Sequence, residues 1–137
     1  MAGKTECYVD TSAFIAFLDR SDSFHPSFRR LFSAPPPLAT SSLVIVEGHA
    51  WFLRRYDAQR ALEFLSFIGE LDMLAIRPFD SEELFKSARL VRKFTDQKLT
   101  LADAHGLSIM AERRSRLCWS TDRHLGLTGV PLVTAAP

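Results

Sequence analysis

The stretch Tyr8-Val9-Asp10-Thr11-Ser12 marks the point where a predicted strand gives way to a helix. The apolar residues 7–9 end at the carboxylate of Asp10, and an apolar pattern with helical spacing begins at Ala13. In open α/β sheets, ligands bind at the carboxyl ends of the strands. We therefore expect a strand-to-helix junction at Asp10 that carries a candidate functional carboxylate.

The composition narrows the class of protein. A length of 137 residues suits one domain with a substantial core, and we expect residues 1–137 to form it. The formal net charge is only +1, so contact with a nucleic acid would need a local basic patch. Cys7 and Cys118 are too few for a disulfide framework and too far apart for a zinc-binding pair. No apolar stretch approaches membrane-spanning length, and we expect a cytoplasmic protein.

Strand-like and helix-like segments alternate along the chain. The pattern predicts strands at 6–9, 38–40, 73–77, 116–119 and 130–134, and helices at 11–20, 25–33, 41–56, 58–71, 80–94 and 100–114. Such alternation is typical of parallel strands joined by helical crossovers, so we expect a three-layer α/β/α sandwich with a mostly parallel central sheet. Pro131 suits an edge position for the last strand.

Four acidic residues stand where this fold would gather carboxylates at one sheet edge. Asp10 and Asp122 each follow the end of an apolar strand. Glu47 and Asp103 lie on predicted helices among apolar face neighbours, where a carboxylate is costly unless a cation meets it. Crowded carboxylates favour hard ions such as Mg²⁺ or Mn²⁺, which generate hydroxide and assist phosphoryl displacement. We therefore predict that these four acids hold a divalent metal against a nucleic-acid phosphate.

Each acid also has a purely structural explanation. Asp10 and Asp122 suit helix N-cap positions, and Asp103 would complete a capping box with the hydroxyl three residues before it. Arg54, two turns from Glu47 on the same predicted helix face, would neutralise that carboxylate. We favour the metal site because four acids, and not one alone, fall at a strand end or on an inner helix face.

Four segments resemble the successive motifs of PIN-domain proteins, and most closely those of the VapC-type toxins of bacterial toxin–antitoxin pairs. These segments are 9–13 (VDTSA), 46–47 (VE), 99–104 (LTLADA) and 120–124 (STDRH). The resemblance covers nearly the whole chain and implies a metal-dependent endoribonuclease whose acids correspond to Asp10, Glu47, Asp103 and Asp122. It also implies a homodimer that a small antitoxin neutralises by blocking the site. Whether the substrate is tRNA, rRNA or mRNA stays open.

Polar residues beside the four acids are candidates for supporting roles. Thr11, Ser12 and Thr121 carry hydroxyls that can orient the carboxylates or an attacking water. Arg123 and His124 are our candidates for contact with RNA phosphates at the rim of the site. The arginine clusters elsewhere fit a phosphate-binding patch and solvated helix ends about equally well.

Other functional classes compete with this interpretation. An aspartyl-phosphate hydrolase with Asp10 as nucleophile usually has a second acid two residues on, where this chain has Ser12, and no lysine stands in an obvious place for that chemistry. A PIN-like scaffold that binds RNA or a protein without cutting would not need all four acids. A non-toxin PIN ribonuclease of RNA processing is the remaining alternative.

Overall fold

The computed structural model describes residues 6–133, and the strands in this range form one parallel sheet. The strands are β1 (Cys7–Val9), β2 (Leu38–Ser41), β3 (Leu74–Arg77), β4 (Leu117–Trp119) and β5 (Leu132–Val133). Their order is β3-β2-β1-β4-β5, and each neighbouring pair is parallel. β1 is central and pairs with β4, with Val9 opposite Trp119. The residues that follow β1 and β4 therefore leave the sheet side by side.

Helices cover both faces of the sheet, which confirms the predicted three-layer sandwich. They are α1 (Thr11–Leu18), α2 (His25–Leu31), α3 (Ser42–Arg55), α4 (Ala58–Glu70), α5 (Ser81–Lys93) and α6 (Leu101–Arg113). Successive strand residues point to opposite faces. Accordingly, Cys7 and Val9 pack into a core with α1 to α4, whereas Tyr8 packs on the other side with α6.

Local hydrogen bonds determine where α3 begins and where α1 ends. The Ser41 hydroxyl accepts a hydrogen bond from the Leu43 backbone N–H (3.0 Å) and caps α3; the sequence alone left Ser41 and Ser42 as alternatives for this cap. α1 ends at Leu18, two residues before the predicted end. The reason is that the Asp19 carboxylate accepts hydrogen bonds from the backbone N–H (3.0 Å) and hydroxyl (2.7 Å) of Ser21, which starts a turn.

The last predicted strand is shorter in the structure than in the sequence-based expectation. β5 lies at the edge of the sheet, and its pairing with β4 begins where the Cys118 N–H donates to the Pro131 carbonyl (2.9 Å). The predicted strand residue Thr134 lies outside the described residues. Between residues 6 and 133, no helix has the length and apolar character needed to span a membrane.

Candidate metal centre

Asp10 follows β1 directly, and two serines hold its carboxylate. Its Oδ2 accepts hydrogen bonds from Ser120 Oγ at 2.9 Å and from Ser12 Oγ at 3.0 Å, and the residue is 8% exposed. Asp10 occupies the N-cap position of α1, but within residues 6–133 its side chain makes no capping hydrogen bond to that helix. A helix cap therefore does not explain why a carboxylate is buried at this place.

The ionised form of Asp10 is disfavoured in the metal-free protein. Burial raises the pKa of Asp10 to about 6, and the negative charge of Asp103 adds to the increase. Hydrogen bonds from Ser120, from the Thr11 backbone and from Ser12 act in the opposite direction without cancelling it. A nearby cation would favour the ionised carboxylate.

Ser120 is a contact residue that the sequence interpretation missed. It is fully buried, donates to Asp10 and accepts a hydrogen bond from the Asp122 backbone N–H at 2.9 Å. The contact between Ser120 and Asp10 follows from the strand register. Val9 pairs with Trp119, so the next residues, Asp10 and Ser120, stand opposite each other.

The three hydroxyl residues singled out from the sequence contribute in different ways. Thr11 Oγ1 donates to Glu47 Oε1 at 2.7 Å, and Ser12 Oγ donates to Asp10. The Thr121 side chain is exposed, and its contribution comes from the backbone N–H, which donates to Ser12 Oγ at 3.0 Å.

Glu47 is exposed, so the expectation that it lies on the buried stripe of α3 is wrong. The buried residues of α3 are Val44, Gly48 and Phe52. Glu47 precedes Gly48 by one residue, which turns its side chain about 100° away from the centre of that stripe. Its observed partner is Thr11, and Arg54 is exposed as well.

Asp103 and Asp122 approach each other from different elements. Asp103 is 9% exposed on the first turn of α6, where it forms the predicted capping box with Thr100 through Oδ2. Asp122 accepts a hydrogen bond from the His124 backbone N–H at 2.9 Å and so caps the short 3₁₀ turn Arg123–Gly126. The two carboxylates and a ring nitrogen of His124 offer ligand atoms that all lie within 4.8 Å of one another.

Close packing of α6 against β1 brings Asp103 towards Asp10. A Cβ atom at Gly106 would lie 2.8 Å from the Tyr8 hydroxyl and 2.9 Å from Leu125 Cδ1. Such distances are far below ordinary contacts, so a larger residue would move α6 away from the sheet. Gly106 thus sets the depth at which the helix carries Asp103.

Comparison with known proteins identifies the family. The family model of the PIN domain matches residues 7–129 of this sequence. The chain belongs to the PIN-domain family. No curated protein sequence matches it.

Solved structures share the fold of this PIN domain. VapC20 from Mycobacterium tuberculosis, described as a sarcin-ricin loop cleaving toxin, is similar with a TM-score of 0.84 and 19% identity over 96% of this chain and 99% of that one. A toxin–antitoxin complex from Klebsiella pneumoniae is similar with a TM-score of 0.61 and 21% identity over 93% of this chain and 95% of that one. VapBC2 from Rickettsia felis, bound to a DNA fragment from their promoter, is similar with a TM-score of 0.62 and 13% identity over 93% of this chain and 97% of that one. The likeness at these identities is one of fold.

The donor set of this PIN domain suits a hard divalent cation. Carboxylate oxygens dominate the site, hydroxyls hold them in place, and a single imidazole accompanies them. Mg²⁺ and Mn²⁺ prefer such oxygen ligands.

Arg123 is exposed beside Asp122, whereas Arg113 binds both carboxylate oxygens of Glu6 and is accounted for as a structural ion pair.

Proposed function

We propose that this PIN domain is a Mg²⁺- or Mn²⁺-dependent endoribonuclease that hydrolyses RNA phosphodiester bonds. The observation that carries the proposal is the position of Asp103 on α6, which has ligand atoms within 4.8 Å of Asp122 and a charge that acts on Asp10. Asp10 is buried among hydroxyl donors, burial and to a smaller extent the charge of Asp103 raise its pKa, and Asp122 lies near Asp103. Charges crowded in this way are stabilised by a divalent cation.

The residues around the site divide the work between holding the ion and handling the substrate. A bound divalent ion supplies charge stabilisation for phosphoryl displacement and acidifies a water. Asp10, fixed by Ser12 and Ser120, and Asp103, fixed by its capping box, would hold that ion. Their geometry is set before any ligand arrives, since each carboxylate already has hydrogen-bonded supports.

Glu47 and Arg123 lie on the solvent side of the site, where RNA would approach. Glu47 is exposed and held by Thr11, which suits it to orient the attacking water or to take its proton. Arg123 is exposed and adjacent to Asp122, and its guanidinium is suited to a phosphate of the substrate backbone. Basic groups at the rim are needed because an acidic centre alone repels RNA.

We further propose that the protein is the toxin of a type II toxin–antitoxin pair and acts in the cytoplasm. The support is its similarity to VapC20, described as a toxin, and to the toxin–antitoxin complex of Klebsiella pneumoniae. Under this proposal its partners are a small antitoxin that covers the site and a second copy of the chain. Because VapC20 is described as cleaving the sarcin-ricin loop, that RNA is the first substrate to test.

The test is cleavage of labelled RNAs, including the sarcin-ricin loop, by the purified protein with Mn²⁺, Mg²⁺ or a chelator. Asp103→Asn should lose at least ~100-fold of the metal-dependent rate, because it removes a charge at the ion. Asp96→Asn, an exposed acid in the loop before α6, is the matched control and should cut like the wild type. Equal cutting by wild type and Asp103→Asn would indicate a contaminating nuclease. Absence of cutting by all folded samples would favour the non-catalytic scaffold.

A further inference from the structure

His124 is the one non-acidic side chain in the cluster of possible ligands described within residues 6–133. Its Nδ1 lies 2.7 Å from Asp122 Oδ1, and one ring nitrogen is within 4.8 Å of ligand atoms on both Asp103 and Asp122. The side chain is 26% exposed, so it borders the solvent and remains in contact with the cluster. Its position raises the question of what the imidazole does there.

Capping of the 3₁₀ turn does not require the imidazole. The backbone N–H of His124 already donates to Asp122 Oδ1 at 2.9 Å, and that hydrogen bond forms the cap. Any residue except proline would supply the same donor. The ring therefore brings a second polar contact to an oxygen that is already engaged, and brings it close to Asp103 as well.

The spacing of the three groups is near that of ligands on one ion. Ligand atoms bound at about 2.1 Å lie roughly 3 Å apart when adjacent and roughly 4 Å apart when opposite. The observed limit of 4.8 Å is about 1 Å above the distance between opposite ligands and about 2 Å above the distance between adjacent ligands. The half-buried side chains of Asp122 and His124 can rotate towards Asp103, which its capping box holds, and the 2.7 Å contact between His124 and Asp122 is already short enough.

We propose that His124 is a nitrogen ligand of the metal ion, which makes this centre a mixed oxygen and nitrogen site. The inference rests on the proposed metal-dependent function and replaces the contact with RNA expected for His124 from the sequence. Imidazole binds transition metals well and Mg²⁺ poorly. The centre should therefore prefer Mn²⁺ over Mg²⁺ and bind Co²⁺ more tightly than either, following the general order of affinities for divalent metals.

Pulsed EPR of Mn²⁺ bound to the protein tests this assignment without measuring activity. Protein with ¹⁴N-histidine or ¹⁵N-histidine should give nitrogen couplings that change with the isotope, as a ligand imidazole requires. His124→Asn should abolish them, while His49→Asn, which changes a histidine on α3 outside the cluster, should keep them. Bound Mn²⁺ without histidine coupling would overturn the inference and leave the proposed function standing. Failure to bind Mn²⁺ would overturn the inference, and failure to bind Mg²⁺ as well would overturn the proposed function.

Metal selectivity gives a second readout. In calorimetric titrations, His124→Asn should weaken Co²⁺ binding at least ~10-fold, a loss that even supporting residues of metal ligands produce. Its effect on Mg²⁺ binding should be smaller than its effect on Co²⁺ binding. Asparagine retains a side-chain donor that can reach Asp122, so a role limited to positioning Asp122 would leave the Co²⁺ to Mg²⁺ ratio unchanged. An unchanged ratio would contradict the assignment of His124 as a ligand.

Discussion

Thr11 donates a hydrogen bond from Oγ1 to Glu47 Oε1 over 2.7 Å, and this contact joins the first turn of α1 to α3. Glu47 is exposed, so without this donor its side chain would sample many rotamers. Thr11 also follows Asp10 directly in the chain. The contact therefore couples the position of an exposed acid to that of a buried one.

Thr11→Val should slow RNA cleavage while leaving the fold intact. Valine keeps the branched shape but lacks the donor, so Glu47 becomes mobile and the rate should fall about 2- to 12-fold, as for the loss of one typical hydrogen bond. The free energy of unfolding should change by less than about 1 kcal/mol, because the bond lies at the surface. Single-turnover cleavage and thermal unfolding would measure the two quantities. Thr11→Ser, which restores the donor, should recover most of the rate, and a rate equal to that of Thr11→Val would contradict this role.

Asp10→Asn should stabilise the metal-free protein at pH 8. Burial raises the pKa of Asp10 from an ordinary 3.8 to about 6. A raised carboxyl pKa means that ionisation destabilises the folded state, by an amount that grows between about pH 4 and pH 6 and then stays constant. The full difference corresponds to about 3 kcal/mol, so removal of the charge should add about 1–3 kcal/mol. Urea unfolding in a chelator would measure it.

The same substitution should reverse its effect once metal is added. Mn²⁺ should raise the stability of the wild type by binding the folded state, and Asp10→Asn should gain less. Below about pH 3 without metal, the advantage of the variant should disappear, because Asp10 is then mostly neutral in both the folded and the unfolded state. A variant that is less stable than the wild type at pH 8 in chelator would show that ionisation of Asp10 does not destabilise the folded protein.

Gly48→Ala should destabilise the protein by separating α3 from α4. A Cβ atom at Gly48 would lie 2.4 Å from Phe64 Cζ, and Phe64 is fully buried, so the ring has little room to move. Overpacking of this kind costs about 1–3 kcal/mol, which exceeds the gain in helix propensity of about 1 kcal/mol. Gly69→Ala, on α4, is the matched control. Among residues 6–133, a Cβ at that position meets no atom within 4 Å beyond its chain neighbours and its own helix backbone, so this variant should be as stable as the wild type or more so in urea unfolding.

Asp19→Asn should destabilise the protein at pH 7 and lose its effect in acid. Burial alone would raise the pKa of Asp19, but hydrogen bonds from Ser21 and from the Tyr56 hydroxyl (2.9 Å) outweigh it and lower the pKa. A lowered carboxyl pKa contributes stability that is present above the unfolded pKa and is lost as the pH falls through the folded one. We expect a loss of about 1–3 kcal/mol at pH 7, typical of hydrogen bonds to a charged group, which shrinks below about pH 4.

The pH dependence of unfolding for wild type and Asp19→Asn would measure this difference. Asp72→Asn, an exposed acid in the connection before β3, should follow the wild type throughout. A stability difference between wild type and Asp19→Asn that stays constant down to pH 2 would mean that the asparagine alters packing, since the charge would then not matter.

The order of elements and the convergence of strand ends could be predicted from the sequence, because both depend on local periodicity. Apolar runs that stop at Asp10 and Asp122 mark strand ends, and parallel strands place those ends at one edge. The cap at Thr100 was equally readable and the cap of α3 was readable as one of two adjacent serines, since a cap depends on neighbours two or three residues away.

Features set by tertiary packing could not be predicted in this way. The apolar neighbours of Glu47 show that α3 has a buried stripe, but its centre is fixed by Gly48 meeting Phe64 across two helices. The role of Ser120 requires the register between β1 and β4. Phe14 is fully buried and Phe85 is 63% exposed, although both stand at helical apolar spacing.

The hydrogen bond between Ser120 and Asp10 joins residues that are 110 positions apart in the chain. During synthesis, the amino-terminal acid emerges from the ribosome long before the serine that holds it. The two meet only after β4 has been made and has paired with the central strand, so a nascent chain carries an unfinished centre. The part of the chain made before β4 therefore lacks the completed centre on which the proposed activity depends.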